Sequence, residues 1–262
     1  MSTDTETILA GRLRAAGCVF AEDEARLLLA AARTPAELEA LTARRIDGEP
    51  LEQVLGWAAF RGLRVHVEPG VFVPRRRTEL LVEQAARLAP ARAVAVDLCC
   101  GSGAVGAALA AEADLAELHA ADLDPAAVRC ARHNIPGEVH EGDLFDALPA
   151  ELRGRVDILV ANAPYVPSDA VGLMPPEARL HEPRLALDGG ADGLDLARRV
   201  MAGAPGWLAP GGWVLVETSE RQAPALLRAA SGAGLAAQVV SSAELDATAV
   251  VGRLVTRADR AG

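Results

Sequence analysis

The 262-residue chain contains no lysine, so all 26 of its basic residues are arginine. A replacement this complete points to a GC-rich coding genome rather than to function. Against them stand 36 acidic residues, and the net charge of −10 argues against a protein that coats nucleic acid electrostatically. Aromatic residues make up only 3% of the chain, with a single tyrosine. The four cysteines, Cys18, Cys99, Cys100 and Cys130, show no metal-ligand spacing, and two of them are adjacent. They give no disulfide framework and no metal site, and they suit a reducing compartment. The N-terminus has no apolar signal core, and no run is long and apolar enough to span a bilayer. The expectation is a soluble, cytoplasmic protein with no membrane partner. What the chain has is apolar mass: 51% of residues, enough for one large domain or two unequal ones.

Residues 1 to about 57 read as a small helical unit. Thr3 with Glu6, and Thr34-Pro35 with Glu37, form capping-box patterns, the second with proline at the first helical position. Leucines recur at helical spacing through three segments, and a last short helix runs to about Gly56. The pattern then alternates: Leu63, Val65 and Val67 against Arg64, His66 and Glu68. With residues 58–60 before it and 71–73 after Pro69-Gly70, it predicts a β-hairpin joining two domains. Arg75-Arg76-Arg77 at that junction reads as solvated surface or as a contact for an anionic partner. A helix is expected from Thr78-Glu79 to about Leu88.

From residue 91 strands and helices alternate. Strands are expected at 93–97, 118–122, 138–140 and 156–161, and another at 213–217 after a Pro210-Gly211-Gly212 turn. Two more, 237–240 and 249–255, lie close enough in sequence to pair antiparallel. Helices are expected at 103–111 and 126–133. This alternation predicts an α/β fold, a mostly parallel sheet with helices on both faces.

Asp97-Leu98-Cys99-Cys100-Gly101-Ser102-Gly103 follows the first of these strands and opens a helix. Gly101 and Gly103 allow a ligand close to the backbone. Asp122 ends the next strand about twenty residues on, where a carboxylate accepts ribose hydroxyls, and Asp143 ends the third. Gly106 completes a G-x-G-x-x-G from Gly101, which keeps a nicotinamide dinucleotide open. However, Asp97 would repel a pyrophosphate and suits a cation, the ammonium of S-adenosylmethionine. The strand at 156–161 runs into Asn162-Ala163-Pro164-Tyr165. Here an amide with donors and an acceptor sits at a strand end, Pro164 holds Ala163 extended, and the lone tyrosine supplies a wall. Such a clamp suits a planar amide or amine and has no role in hydride transfer.

These motifs resemble the HemK/PrmC-type protein-(glutamine-N5) methyltransferases over nearly the whole chain. The resemblance is carried by residues 50–60, Val73-Pro74-Arg75, residues 78–83, 97–103, Asp143-Leu144-Phe145, Asn162-Ala163-Pro164-Tyr165, Glu182-Pro183, Ala186-Leu187, residues 189–194, Glu217 and Gln222. It implies a class I S-adenosylmethionine-dependent methyltransferase with a Rossmann-like, seven-stranded, mostly parallel sheet. Residues 1–72 would be a helical substrate-recognition domain with a hairpin linker, and residues 73–262 the methyltransferase domain. The implied cofactor site is Asp97, Cys99, Cys100, Gly101, Ser102, Gly103, Asp122, Leu123, Asp143, Leu144 and Asn162. The implied catalytic group is Asn162, Ala163, Pro164 and Tyr165, with Arg75, Thr78 and Glu182 joining it toward the substrate. The product would be S-adenosylhomocysteine. The implied partner is a protein, a peptide-chain release factor or another glutamine-bearing protein, met by a monomer. Three departures stand out: Ala163 replaces the first proline of Asn-Pro-Pro-Tyr, Cys99 replaces a glycine, and Arg76-Arg77 replaces Pro-Glu. An N6-adenine methyltransferase acting on RNA or DNA, a small-molecule N-methyltransferase and a non-catalytic cofactor-binding protein are the alternatives.

Overall fold

The computed structural model describes residues 3–255. Four helices open it: α1 (Thr3–Ala15), α2 (Ala21–Ala31), α3 (Pro35–Ile46) and α4 (Leu51–Leu55). Leu9, Leu13, Ala25, Leu28 and Val54 bury against one another in a core of their own. α3 starts on a Thr34 side chain that accepts the Glu37 N–H at 3.1 Å, with Pro35 in the first turn. Glu37 does not close the capping box on Thr34; its carboxylate takes the Arg33 N–H at 2.8 Å, one residue further back. The side chain of Thr3, the other expected cap, lies outside the described residues. Arg45 and Glu24 form a buried ion pair at 2.7 Å that ties α3 to α2.

The linker begins as an antiparallel hairpin, β1 (Trp57–Phe60) with β2 (Leu63–His66). Residues 71–73 do not add the expected strand. Val71 and Val73 are buried, but the Val73 N–H goes to Glu182 Oε1 at 3.2 Å, and Pro74 has none to give. A side chain therefore takes the place of a ladder partner. Asn134 fastens the hairpin to the body: it accepts from the His66 N–H at 2.8 Å and donates to the His66 carbonyl at 2.9 Å and the Ser102 carbonyl at 2.8 Å.

After α5 (Glu79–Leu88) come β3 (Ala93–Leu98), α6 (Ala104–Glu112), β4 (Leu115–Asp122), α7 (Pro125–Asn134), β5 (Glu138–Glu141), β6 (Val156–Ala161), α8 (Pro176–His181), α9 (Asp195–Gly203), β7 (Leu208–Thr218), α10 (Ala223–Gly232), β8 (Leu235–Ser242) and β9 (Ala247–Leu254). One seven-stranded sheet runs in the order β5-β4-β3-β6-β7-β9-β8. Only the pairings made by β9 are antiparallel. The chain starts the sheet at β3, builds outward to β5, then returns to β6 on the other side. The crevice of this fold lies at that reversal, beyond the carboxyl ends of β3 and β6. Two cores sandwich the sheet, one with Leu81, Val82, Ala108 and Val128, the other with Val200, Met201 and Leu226. The expected turn at residues 210–212 lies inside β7 as a bulge. Leu208 pairs with Val156, yet Trp213 pairs with Ile158, so the intervening residues loop out. Gly212 is needed there, because a Cβ would stand 2.6 Å from the Val156 carbonyl.

Candidate active site

β3 and β6 run side by side with Leu98 opposite Ala161. The glycine loop that follows β3 and the Asn162-Ala163-Pro164-Tyr165 segment that follows β6 therefore emerge as neighbours. They line one cavity of about 320 Å³, closed on other sides by the linker (Phe72, Arg75, Thr78) and by Met174, Leu185 and Leu187.

One end of the cavity is acidic. Asp97 is fully buried, and its Oδ2 accepts the Gly106 N–H at 2.9 Å. Burial, only partly offset by that bond and reinforced by Asp122, pushes its carboxyl up to about 7. Asp122 accepts the Gly101 N–H on Oδ2 and the Asp124 N–H on Oδ1, both at 2.9 Å, and its pKa is also raised by burial. Asp143 lines the same end and pairs with Arg199 at 2.8 Å. Leu123 and Leu144 supply apolar surface between the carboxylates. Among the described residues no cation pairs with Asp97, so the end as built calls for a cationic ligand with an apolar body. That donor set fits S-adenosylmethionine and disfavours a pyrophosphate.

Cys99, Cys100, Gly101 and Ser102 lie on the cavity wall. Cys99 and Gly101 both have φ of 55°. Glycine adopts that conformation freely, whereas cysteine does so under strain. Burial holds both thiols well above their ordinary range, so neither is a nucleophile. Gly103 is not on the wall. It starts α6 with φ of 80°, and a Cβ there would come within 2.8 Å of Ile135. The absence of a Cβ there lets α6 pack on the end of α7.

The other end holds Asn162, Ala163, Pro164 and Tyr165. Asn162 Nδ2 donates to Thr78 Oγ1 at 3.2 Å, and among the described residues no group donates to its Oδ1. The Tyr165 hydroxyl lies 3.4 Å from Glu217 Oε1. Burial and the nearby Glu217 raise the Tyr165 pKa, and burial likewise raises that of Glu217, so Tyr165 is neutral. The block at 189–194 buttresses this segment. The Val166 N–H donates to the Leu187 carbonyl at 3.0 Å, the Gly189 N–H donates to the Val166 carbonyl at 2.8 Å, and Gln222 Nε2 donates to the carbonyls of Tyr165 and Asp192, each at 2.9 Å.

Glu182 does not line the cavity. Its side chain is buried behind the wall, where Oε1 accepts from Val73 and from Arg75 Nη2 at 2.5 Å. Arg75, held this way over the Phe72 ring, does reach the cavity. Arg77 also lines it, next to Tyr165 and Glu217. Arg76 points away to Glu244 at 3.5 Å. The resemblance names Arg75 of the triplet toward the substrate but not Arg77, which also turns inward. It misses Asn134 and Met174 altogether, because neither stands in a motif.

The fold and this cavity define a methyltransferase of the Rossmann-like class, with S-adenosylmethionine as its cofactor. Residues 62–177 match the family model described as the methyltransferase small domain. The chain is 41% identical over 201 residues to the release factor glutamine methyltransferase of Geobacter sulfurreducens, covering 74% of this chain and 70% of that one. It belongs to the release factor glutamine methyltransferase family. It is also 39% identical over 201 residues, 71% of this chain and 69% of the other, to a 4-amino-L-phenylalanine/4-methylamino-L-phenylalanine methyltransferase of Streptomyces pristinaespiralis. Among solved structures, a methyltransferase from Pyrococcus furiosus superposes with a TM-score of 0.57 at 15% identity, over 83% of this chain and all of that one, which shows the shared fold.

Proposed function

We propose that this enzyme methylates the side-chain amide nitrogen of a glutamine in a protein of the release-factor kind. The observation that carries the reading is the Asn162 amide, anchored by its nitrogen on Thr78 with its oxygen left to the cavity. An amide nitrogen is a weak nucleophile, because its lone pair is delocalised into the carbonyl. Two acceptors aimed at its N–H groups, the Asn162 side-chain oxygen and the Ala163 carbonyl, would hold it in line and stabilise positive charge as it develops there. When bound, S-adenosylmethionine supplies an electrophilic methyl on sulfur. Asp97 would hold its ammonium, Asp122 its ribose hydroxyls, and Leu123 and Leu144 the adenine. Tyr165 would pack on the flat amide and keep water out. The nitrogen gains the methyl and releases one proton to solvent, and S-adenosylhomocysteine leaves. No general base is needed, since the methylated nitrogen is itself acidic.

Ala163 keeps the carbonyl that proline would present, and Pro164 still holds it extended. The role of residues 1–72 in reading the substrate, and the division at 72/73, belong to this proposal. The helical unit's separate core supports it; Gln53 reaches the His181 carbonyl at 3.4 Å and Arg45 reaches Glu177 at 3.4 Å. Four free cysteines are in keeping with a cytoplasmic enzyme. A second reading is an aromatic amine on a small molecule, favoured by the Streptomyces relative and by the change at Ala163.

Tritiated S-adenosylmethionine, offered with release factor, total protein, RNA, DNA and 4-aminophenylalanine in parallel, separates these. Label in the release factor, lost when its Gly-Gly-Gln glutamine is changed, is expected. Label confined to nucleic acid or to the small amine would refute the glutamine assignment.

A further inference from the structure

Four of the five histidines fall in two groups with glutamate, and one of these has the geometry of a metal site. It is built by strand pairing. In the parallel β4–β5 register His119 stands opposite Glu138, and His140, two residues on, shares the face of Glu138. His119 Nδ1 lies 3.2 Å from His140 Nε2 and 3.9 Å from Glu138 Oε2, while His140 Nε2 lies 3.8 Å from that same oxygen. A point equidistant from three atoms so spaced is about 2.1 Å from each, the ordinary length of zinc–nitrogen and zinc–oxygen bonds.

The surroundings of His119 are compatible with a ligand role. The other ring nitrogen of His119, Nε2, faces Glu117 Oε2 at 3.7 Å, and Glu117 is fixed in turn by Arg155 at 2.6 Å. A carboxylate on that side keeps the proton on Nε2 and turns the Nδ1 lone pair toward His140 and Glu138. Histidine ligands of zinc are commonly oriented this way. His119 is nearly buried, His140 partly so, and Glu138 is at the surface. Two ligands are thus held by the sheet, the third is free to close, and a fourth position opens to solvent. The second group, His66, Glu68 and His133, is looser and more exposed, with His133 Nε2 4.0 Å from Glu68.

We propose that His119, Glu138 and His140 form a structural site for a divalent transition metal such as zinc, stapling edge strand β5 to β4. Both strands end within three residues of cavity-lining groups, Asp122 on one and Asp143 on the other. The ion would thereby stiffen the ledge that carries those two carboxylates.

The test uses the whole protein, stripped with chelator and titrated with zinc against a chromophoric competitor, and with cobalt to read visible absorption. One tight equivalent is expected, with the intense bands of a tetrahedral cobalt site and a higher melting temperature for the zinc form. His140→Gln and Glu138→Gln each weaken binding at least tenfold; both side chains are solvent-accessible, so these variants fold. His133→Gln leaves binding unchanged. No tight equivalent in the parent protein overturns the proposal. So does an equivalent that survives His140→Gln or is lost with His133→Gln.

Discussion

Asn162 gives its side-chain N–H to the Thr78 hydroxyl at 3.2 Å, across 84 residues of chain, and this bond decides which end of the amide faces the cavity. Thr78 stands at the start of α5 beside the buried Glu217, so the linker side of the site sets the orientation of the clamp. Thr78→Ala removes the anchor. The expected outcome is a fall in kcat of about fivefold, the equivalent of ~1 kcal/mol for one hydrogen bond, with cofactor affinity preserved. Thr78→Ser keeps the hydroxyl and stays within about twofold of the parent. Steady-state kinetics on both variants checks it.

With Asp97 as the proposed holder of the cofactor's ammonium, cofactor binding is expected to depend on pH. Its folded value of about 7 lies above an ordinary aspartate's, so the free protein takes up a proton that the unfolded chain lacks between about pH 4 and 7. The free protein therefore loses stability from this group as pH rises through that window. A bound ammonium prefers the ionised carboxylate, so S-adenosylmethionine affinity rises with pH toward 7 and levels off above it. Calorimetric titration from pH 6 to 8 should show this slope, and Asp97→Asn should bind more weakly with no slope.

Cys99 holds φ of 55°, a conformation that glycine adopts freely. Left-handed backbone costs a residue with a Cβ roughly 1–2 kcal/mol, partly offset by glycine's freedom in the unfolded chain. Cys99→Gly is expected to stabilise the protein by about 1 kcal/mol in a denaturant melt and to leave methyl transfer intact. A loss of stability would mean that the thiol's packing outweighs the backbone strain.

Gly193 lies under the clamp with φ of 77°, and a Cβ would come within 2.2 Å of the Tyr165 carbonyl and 2.4 Å of Gln222 Nε2. Gly193→Ala must push the Tyr165 segment out of place. We expect a loss of more than ~2 kcal/mol in stability and a clear drop in turnover, while Gly154→Ala, with φ of 72° but open space around it, costs less.

Most of the sheet was legible because buried parallel strands write themselves as apolar runs ended by Asp97, Asp122 and Asn162. Strand-end chemistry likewise marked the cavity. The failures share one cause: a partner distant in sequence. Residues 71–73 have a strand's composition, but the Val73 N–H is taken by Glu182, 109 residues away. Gly103 reads as a ligand glycine, and its contact with Ile135 gives it a packing role that the motif does not show. Glu182 reads as a substrate contact, yet serves to aim Arg75 from behind the wall. Pro210-Gly211-Gly212 has turn composition and is a bulge, because the neighbouring strand continues past it.

Methyl transfer is proposed to depend on Asn162 as the acceptor that holds the substrate nitrogen. The direct measurement is single-turnover methyl transfer to a Gly-Gly-Gln protein by Asn162→Ala, with S-adenosylmethionine affinity measured alongside. Removing one preorganised hydrogen-bonding group of this kind costs about 10²–10³ in rate, so that loss is predicted, with the cofactor still bound. Transfer at the parent rate, with cofactor bound, would contradict it.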